Sequence, residues 1–259
     1  PWQANTGPVG YTPEERREYL TCYYAAISAM DAGVGKIMDW VEGHGLEDDT
    51  VIIFASDNGM NLGQHGIWGK GNGTYPPNMY DSSVKVPFII KVPGCEAPGS
   101  TCSVMAGQYD IFPTILSLAG CEYELELKQP GRSLLEQINH PAAEYEDRIV
   151  VFDEYSKASM IKKGKLKYIH RYGDGPCEFY DLSTDPDEEN NLYGNPVWEE
   201  QIQRLKSEME EWFDRYTDPK MDARKGGAVG RGQEKMCYEE NAFDQSIELY
   251  YKDKEKCRV

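Results

Sequence analysis

A long amphipathic helix is predicted near the start of the chain. The stretch Thr12-Pro13-Glu14-Glu15 is typical of a helix N-terminus, because Thr caps a first turn, Pro suits that turn, and the following Glu completes a capping box. Apolar residues then recur in steps of three and four, which places them on one helical face. They are Leu20, Tyr23, Tyr24, Ile27, Met30, Val34, Ile37, Met38 and Val41. Glycines 43 and 45 end the predicted helix.

Two apolar runs after this helix predict buried strands. They cover residues 51–55 and 86–92, and a Pro-Gly pair closes the second run. A helix, a short link and a fully apolar strand follow one another in parallel α/β sheets that are covered on both faces. The segment 110–119 then predicts a short helix that ends at a glycine. We therefore expect an α/β fold with a parallel sheet for this part of the chain.

The pattern changes near residue 145. Three short runs predict strands without intervening helices, which is typical of a small antiparallel sheet: 148–152, 165–169 and 179–182. A helical stripe follows, made of Ile202, Leu205, Met209, Trp212 and Phe213. We therefore predict three parts, at residues 1–145, 146–216 and 217–259, the last an irregular tail.

Charge and apolar content exclude some classes of partner. The formal net charge is −17, so the chain is a poor candidate for binding nucleic acid or an anionic membrane. No uninterrupted apolar window of about 18 residues occurs, so we expect no membrane-spanning helix. An anionic ligand would have to be attracted by a local cationic or metal site.

The seven cysteines are widely spaced, and no C-x-x-C motif occurs. This spacing argues against a zinc ribbon or a redox dithiol. We expect mostly free, partly buried thiols, with a Cys95–Cys102 bridge as the alternative.

Candidate chemistry is concentrated in the stretch ASDNGMNLGQHGIWGKGNGT, at residues 55–74. Asp57 and Asn58 come directly after an apolar strand, where ligands of open parallel sheets gather. A carboxylate and an amide oxygen are hard ligands, suited to Ca²⁺ or Mg²⁺. Lys70 offers an ammonium that can hold a tetrahedral oxyanion. His65 lies between these groups, although a single histidine is more often structural than catalytic.

Other interpretations of this stretch fit less well. Asn58-Gly59 is a favoured β-hairpin turn, but the following residues lack the alternation of a return strand. A P-loop is excluded because no glycine stands six residues before Lys70. The sequon at Asn72 is expected to be incidental.

Several segments resemble the type I sulfatases, which belong to the alkaline-phosphatase-like superfamily. The run before the loop is YYAAISAMDAGVGKIMDWVEGHGLEDDTVIIFASDNG, and the loop itself is LGQHGIWGKGNGT. Later segments are VKVPFIIKVPG, YDIFPTILSLAG, GRSLLEQI and EFYDLSTDPDEENNLYGNP. The likeness spans residues 19–216 in the family's order. It implies an alkaline-phosphatase-like parallel-sheet portion followed by a small four-stranded antiparallel sheet packed by a helix.

The resemblance also implies roles for four residues. Asp57 and Asn58 correspond to ligands of a divalent ion, usually Ca²⁺, with Mg²⁺ as the alternative. Lys70 corresponds to a lysine that binds the substrate sulfate and assists the leaving group, and His65 to a histidine near the site. From its place after a strand, Arg171 is a further candidate for substrate binding. The basic segment 224–232 is either a cationic lid or a surface loop.

The sequence departs from the family at the nucleophile. The family's formylglycine arises in the motif C/S-x-P-x-R, and no cysteine or serine of this sequence begins such a motif. The sequence therefore resembles the C-terminal portion of a sulfatase, and we expect it to be inactive alone. The expected substrate is a sulfated small molecule or glycan. The expected partner is the N-terminal half or a second copy of the chain.

Two other functions remain open at this point. A phosphodiesterase or phosphonate hydrolase of the same superfamily would use the same metal and lysine. A non-catalytic module that docks onto a partner chain would explain the missing nucleophile motif.

Overall fold

The computed structural model describes residues 3–4, 12–70, 74–75, 77–121, 129–153, 158–172, 175–219, 222 and 224. The chain divides into two compact units. The first combines residues 1–103 with 135–144, and the second combines residues 104–134 with 145–259. One junction thus lies between Glu144 and Tyr145, close to the predicted change of pattern. The three-part division given above stays a prediction.

The first unit contains a long helix, a short helix near its end and several two-stranded pairings. Its elements are β1 (Gln3–Ala4), α1 (Pro13–Gly43), β2 (Ile52–Ala55), β3 (Met60–Leu62), β4 (Trp68–Lys70), β5 (Thr74–Tyr75), α2 (Asp81–Val84), β6 (Phe88–Lys91) and α4 (Leu135–Asn139). α1 begins as predicted, because the Glu15 amide donates to the Thr12 hydroxyl (3.1 Å) and the Thr12 amide donates to the Glu15 carboxylate (3.0 Å).

The apolar stripe of α1 is helical but largely uncovered. Within the helix only Val41 is buried. Tyr24, Met30 and Ile37 keep 59%, 50% and 63% of their surface exposed. Burial of such side chains normally stabilises a helix of this kind. The neighbours that would cover this face are therefore not among the residues that the structure describes.

The pairing of β2 differs from the sequence expectation. β2 pairs with β6 in antiparallel register, with Ile52 opposite Lys91 and Ala55 opposite Phe88. A parallel neighbour would need a crossover of a dozen or more residues that is usually helical. In its described residues, the connection between these strands consists of short elements, namely the β3–β4 hairpin with a 3-10 turn, β5 and the four-residue α2, and it returns the chain in the opposite direction. The expectation of a parallel sheet is thus wrong for this pair of strands.

The second unit is an antiparallel sheet packed by a helix, as predicted. It contains α3 (Ile111–Leu118), β7 (Arg148–Phe152), β8 (Ala158–Lys163), β9 (Leu166–Arg171), β10 (Glu178–Asp181) and α5 (Glu199–Tyr216). The strand order is β10-β9-β8-β7, with every pair antiparallel. The sequence interpretation missed β8, although the resemblance implied four strands.

The core of the second unit lies between α5 and this sheet. The apolar stripe predicted for α5 is buried in full. Its side chains pack against Val150, Ile161, Tyr168 and Phe179 of the four strands. This apolar layer holds α5 on one face of the four-stranded sheet in the second unit.

Two further expectations can be compared with the structure. Cys22, Cys95, Cys102, Cys121 and Cys177 are free thiols, as expected. The other two cysteines lie outside the described residues. Among the helices in the described ranges, none combines the length and the apolar character that crossing a bilayer requires.

Candidate active site

The two predicted metal ligands lie in a bend that follows β2. Asp57 is exposed and Asn58 is half-buried. The Ser56 hydroxyl donates to the carbonyl of Asn58 (2.9 Å), and the Asn58 side-chain amide donates to the carbonyl of Gly59 (2.8 Å). The second bond fixes the Asn58 amide group and turns its Oδ1 away from the Gly59 carbonyl. The bend therefore presents a carboxylate and an amide oxygen on adjacent residues.

Lys70 reaches the same region on a hairpin that the sequence interpretation missed. β3 and β4 are antiparallel, and Met60 is paired with Lys70. Paired residues of antiparallel strands have Cα atoms about 4.5–5.5 Å apart. The exposed Lys70 is therefore anchored beside a residue only two positions after Asn58. Asn58-Gly59 is not itself the hairpin turn, which lies between Leu62 and Trp68.

His65 occupies the turn of this hairpin. Its backbone is left-handed, with φ 53° and ψ 21°, which is uncommon for a residue that is not glycine. The imidazole stacks on the ring of Tyr80, with centroids 3.7 Å apart and planes 7° apart. The stack holds His65 in this strained conformation, so the histidine has a structural partner in addition to any catalytic role.

A short segment, Asn78–Ser83, contacts each of the backbone segments that carry these groups, and we call it the anchor segment. The Gly59 amide donates to the carbonyl of Ser83 (2.8 Å). Asn61 of β3 donates to the Ser83 hydroxyl (2.9 Å) and accepts from the Ser82 hydroxyl (2.6 Å). Together with the His65–Tyr80 stack, these contacts tie the bend, the hairpin and its turn to one segment.

The anchor segment is held by its own buried polar network. Ser83 donates to the Asn78 side-chain oxygen, and the Asn78 amide donates to the Thr74 hydroxyl (2.9 Å). Asn61, Thr74, Asn78 and Ser83 are all buried. Leaving one such group without its partner costs about 1–3 kcal/mol. The network therefore favours a single arrangement of the three attached segments.

Arg171 has a different environment. Its side chain is 0% exposed and its guanidinium lies 2.6 Å from the carboxylate of Glu178, which is itself 3% exposed. It also donates to the carbonyl of Pro176 (2.6 Å). If this buried guanidinium moved to bind a ligand, the Glu178 carboxylate would stay buried without its cationic partner, which is energetically costly. This placement argues against Arg171 as a substrate-binding residue, and we leave it out of the candidate site.

The basic segment 224–232 lies outside the described residues except for Arg224. The Arg224 guanidinium forms two bonds to the carboxylate of Asp222, at 2.7 and 2.6 Å. It also stacks 4.3 Å over the Phe213 ring. Both contacts anchor Arg224 to its own unit.

The sequence interpretation did not single out the anchor segment. Asn61, Asn78 and Tyr80 are ordinary residue types in loops, and no spacing rule connects them. The glycine at position 59 was a clearer signal. A Cβ atom there would lie 2.1 Å from the carbonyl oxygen of Ser82, so only glycine allows this close approach.

Replacing this glycine is a direct test of the anchor segment. We expect Gly59→Ala to separate the bend from Ser82 and Ser83, at a cost of roughly 1–3 kcal/mol for overpacking. Hydrogen exchange of the amides at positions 58–62 should therefore become roughly tenfold faster or more. Gly33→Ala is the matched control, because a Cβ at this helical position has nothing within 4 Å. Equal exchange in both variants would contradict the proposed role of the close contact.

Comparison with known proteins supports the sequence resemblance. A family model described as Sulfatase matches residues 2–121. A second, described as the C-terminal part of N-sulphoglucosamine sulphohydrolase, matches residues 63–215, which is more than half of the chain. Among curated proteins, the chain is similar to an N-acetylglucosamine-6-O-sulfatase of Bacteroides thetaiotaomicron. The two are 29% identical over 217 residues, which is 80% of this chain and 38% of that protein.

Solved structures show the same fold. One is a protein in complex with its substrate D-glucosamine-2-N,6-O-disulfate, with a TM-score of 0.71 and 28% identity over 82% of this chain and 43% of that one. Another is the phosphonate monoester hydrolase of Agrobacterium radiobacter, with a TM-score of 0.65 and 25% identity over 78% of this chain and 42% of that one. The chain thus spans less than half the length of these relatives. It has the predicted α/β fold class and belongs to the type I sulfatase family, of which it matches the C-terminal part.

Proposed function

We propose that this chain supplies the C-terminal part of a sulfuric ester hydrolase. In this proposal Asp57 and Asn58 hold a divalent cation and Lys70 holds the sulfate group. The observation that carries the proposal is the anchor segment, to which the bend after β2, the hairpin with Lys70 and the ring of His65 are all attached. Such shared anchoring would keep the cation ligands and the ammonium at fixed positions, as the reaction requires.

The donor set suits a hard cation. A carboxylate and an amide oxygen are the ligand types that Ca²⁺ and Mg²⁺ prefer, and we propose Ca²⁺ as the resident ion. Within the described ranges, no group of three or more His, Cys, Asp or Glu side chains comes together as a metal site. The remaining ligands would therefore come from the N-terminal part of the enzyme. When bound, the cation would offset negative charge on the sulfate oxygens.

Lys70 supplies the second positive charge. It is exposed at the end of β4, so its ammonium can reach a ligand in solvent. A sulfate ester gains negative charge on its leaving oxygen as the S–O bond breaks, and a nearby ammonium stabilises this charge. His65 would border the same group from the hairpin turn. The nucleophile would be a formylglycine in the N-terminal part.

The similar proteins suggest a substrate class, which we state as a proposal. One relative is named for N-acetylglucosamine 6-O-sulfate, and one structure contains a sulfated glucosamine. We therefore propose a sulfated amino sugar as the first substrate to test. The chain is also similar to a phosphonate monoester hydrolase. Hydrolysis of phosphonate esters is therefore the second candidate function, because a cation and a lysine also suit these esters.

The exposed apolar face of α1 supports the proposal of a missing partner. Its uncovered side chains include Tyr24, Met30 and Ile37, and Ile89 of β6 is 64% exposed. Several large apolar side chains exposed on one helix face are typical of an interface. The chain also spans only 38% of the relative described above. We propose that the N-terminal part of the sulfatase covers this face.

The state of the chain in solution tests this partner. We expect the chain alone to self-associate in light scattering, and to become a single 1:1 species when it is co-expressed with the N-terminal part of a sulfatase. Ile37→Glu should weaken both associations, because it places a charge on the apolar stripe, whereas Val197→Glu, at a position 76% exposed in the second unit, should change neither. A compact monomer in the absence of any partner would contradict the proposal.

Replacing Lys70 tests the catalytic part of the proposal. In the assembled enzyme, Lys70→Ala should lower turnover of N-acetylglucosamine 6-sulfate by roughly two orders of magnitude or more, as for the loss of one oxyanion donor. Lys91→Ala is the control, since Lys91 is an exposed lysine opposite the start of β2, at the end away from Asp57. A normal rate in Lys70→Ala would remove Lys70 from the site. Faster turnover of a phosphonate ester than of any sulfate ester would favour the second candidate.

Metal dependence tests Asp57 separately. We expect Asp57→Ala to raise the Ca²⁺ concentration for half-maximal activity by at least roughly tenfold, because even outer-shell changes at metal sites cost about 10–100-fold. The matched control is Asp48→Ala, which removes an exposed carboxylate just before β2. The same Ca²⁺ requirement in both variants would show that Asp57 is not a ligand.

A further inference from the structure

A second cluster of reactive groups lies in the second unit and is made of residues that the proposed sulfatase site does not use. Cys177 stands directly before β10, and its sulfur lies 3.6 Å from Nδ1 of His170 in β9. The hydroxyl of Tyr168, two residues earlier on the same strand, lies 2.8 Å from the same Nδ1. Cys177 and His170 are half-buried, whereas Tyr168 is fully buried. The thiol therefore faces an imidazole and a phenol at the edge of the core.

These neighbours act on the ionisation of the thiol. Burial raises the pKa of Cys177, but hydrogen bonds from His170, the backbone amide of Arg171 and Tyr168 outweigh burial and lower the pKa to about 7. The physical cause is that all three groups donate to a negatively charged sulfur. Transfer of the thiol proton to Nδ1 of His170 would give a thiolate beside an imidazolium.

The loop after β10 holds this arrangement in place. Asn191 donates to the carbonyl of Cys177 (3.1 Å) and accepts from the amides of Phe179 (3.1 Å) and Tyr193 (2.9 Å). Within the part of the chain that the structure describes, the titratable groups facing the thiol are His170, Tyr168 and Tyr193. Tyr172 adds an edge contact to the His170 ring at 4.4 Å. The guanidinium of Arg171 does not contribute a free charge, since it is paired with Glu178.

We propose that Cys177 is a reactive thiolate that forms mixed disulfides with small disulfides such as oxidised glutathione. The Cys177 sulfur attacks one sulfur of the disulfide, a new S–S bond forms, and the old S–S bond breaks. The leaving thiolate takes the proton that His170 holds. The protein thiol is oxidised and half of the small disulfide is reduced, so no other oxidant is required.

Cys102 provides an internal comparison of similar burial. It is also half-buried, but its sulfur lies 3.3 Å from the carbonyl oxygen of Pro141. A carbonyl accepts a bond from the protonated thiol and does not stabilise a thiolate. Cys102 should therefore react more slowly than Cys177 at neutral pH, although both are shielded to a similar degree.

The first experiment measures the alkylation rate of each cysteine with iodoacetamide as a function of pH, by mass spectrometry of the peptides from the whole chain. We expect the Cys177 rate to reach half of its maximum near pH 7. At that pH Cys177 should react faster than Cys102, because its sulfur faces hydrogen-bond donors whereas the sulfur of Cys102 faces a carbonyl. In His170→Ala the Cys177 midpoint should rise by about one unit or more. Tyr168→Phe, which keeps the ring in the core, should also raise it.

The second experiment uses oxidised glutathione as the probe at pH 7. Cys177 should gain one glutathione that dithiothreitol removes, and Cys177→Ser should lose this adduct while retaining the parent's circular dichroism spectrum. A purely structural thiol would give a Cys177 rate at pH 7 near that of Cys102, or a Cys177 midpoint that is unchanged in both His170→Ala and Tyr168→Phe. Either result, or glutathione addition at Cys102 but not at Cys177, would overturn the proposal.

Discussion

The candidate site depends on one buried polar network. The anchor segment contacts Gly59 through a backbone hydrogen bond, Asn61 through two hydroxyl groups, and His65 through a stacked ring. None of these contacts is strong alone, since a hydrogen bond contributes about 1 kcal/mol net. They stabilise the site together because all of them are made by the six residues of the anchor segment. A shift of the anchor segment would move the proposed cation ligands and the hairpin of Lys70 together, so the network couples the parts of the site.

The two units of the chain differ in how completely they bury their apolar surface. In the second unit, the stripe of α5 is buried against four strands in an apolar cluster. In the first unit, the long helix leaves most of its stripe exposed, and many of the buried groups near the site are polar. The chain also spans only 38% of the N-acetylglucosamine-6-O-sulfatase described above. A well-covered apolar stripe and an exposed one are thus found in the same chain, and the exposed one is where we propose that a partner binds.

Short-range sequence patterns predicted most helices and strands well. Features that depend on contacts between residues distant in the sequence were not predicted. The capping box at Thr12, the strand at residues 148–152 and the stripe of α5 were each readable because their patterns depend on neighbours within a few positions. β8 was missed because its lysines and small residues obscure the alternation of the strand. The antiparallel pairing of β2 with β6 depends on the path of the intervening loop. Arg171 was assigned to the substrate because its position after a strand does not reveal the Glu178 carboxylate that neutralises it.

The buried pair of Arg171 and Glu178 constrains how the sequence of this protein can evolve. Removing either charge strands the other in the core and costs about 3–5 kcal/mol, while replacing both with well-packed apolar residues is close to neutral. Tyr180 adds a third member, because its hydroxyl donates to the second oxygen of Glu178 (3.0 Å). Positions 171 and 178 are therefore expected to change together during evolution. A lineage that replaces only one of the two residues is expected to pass through a poorly folded intermediate.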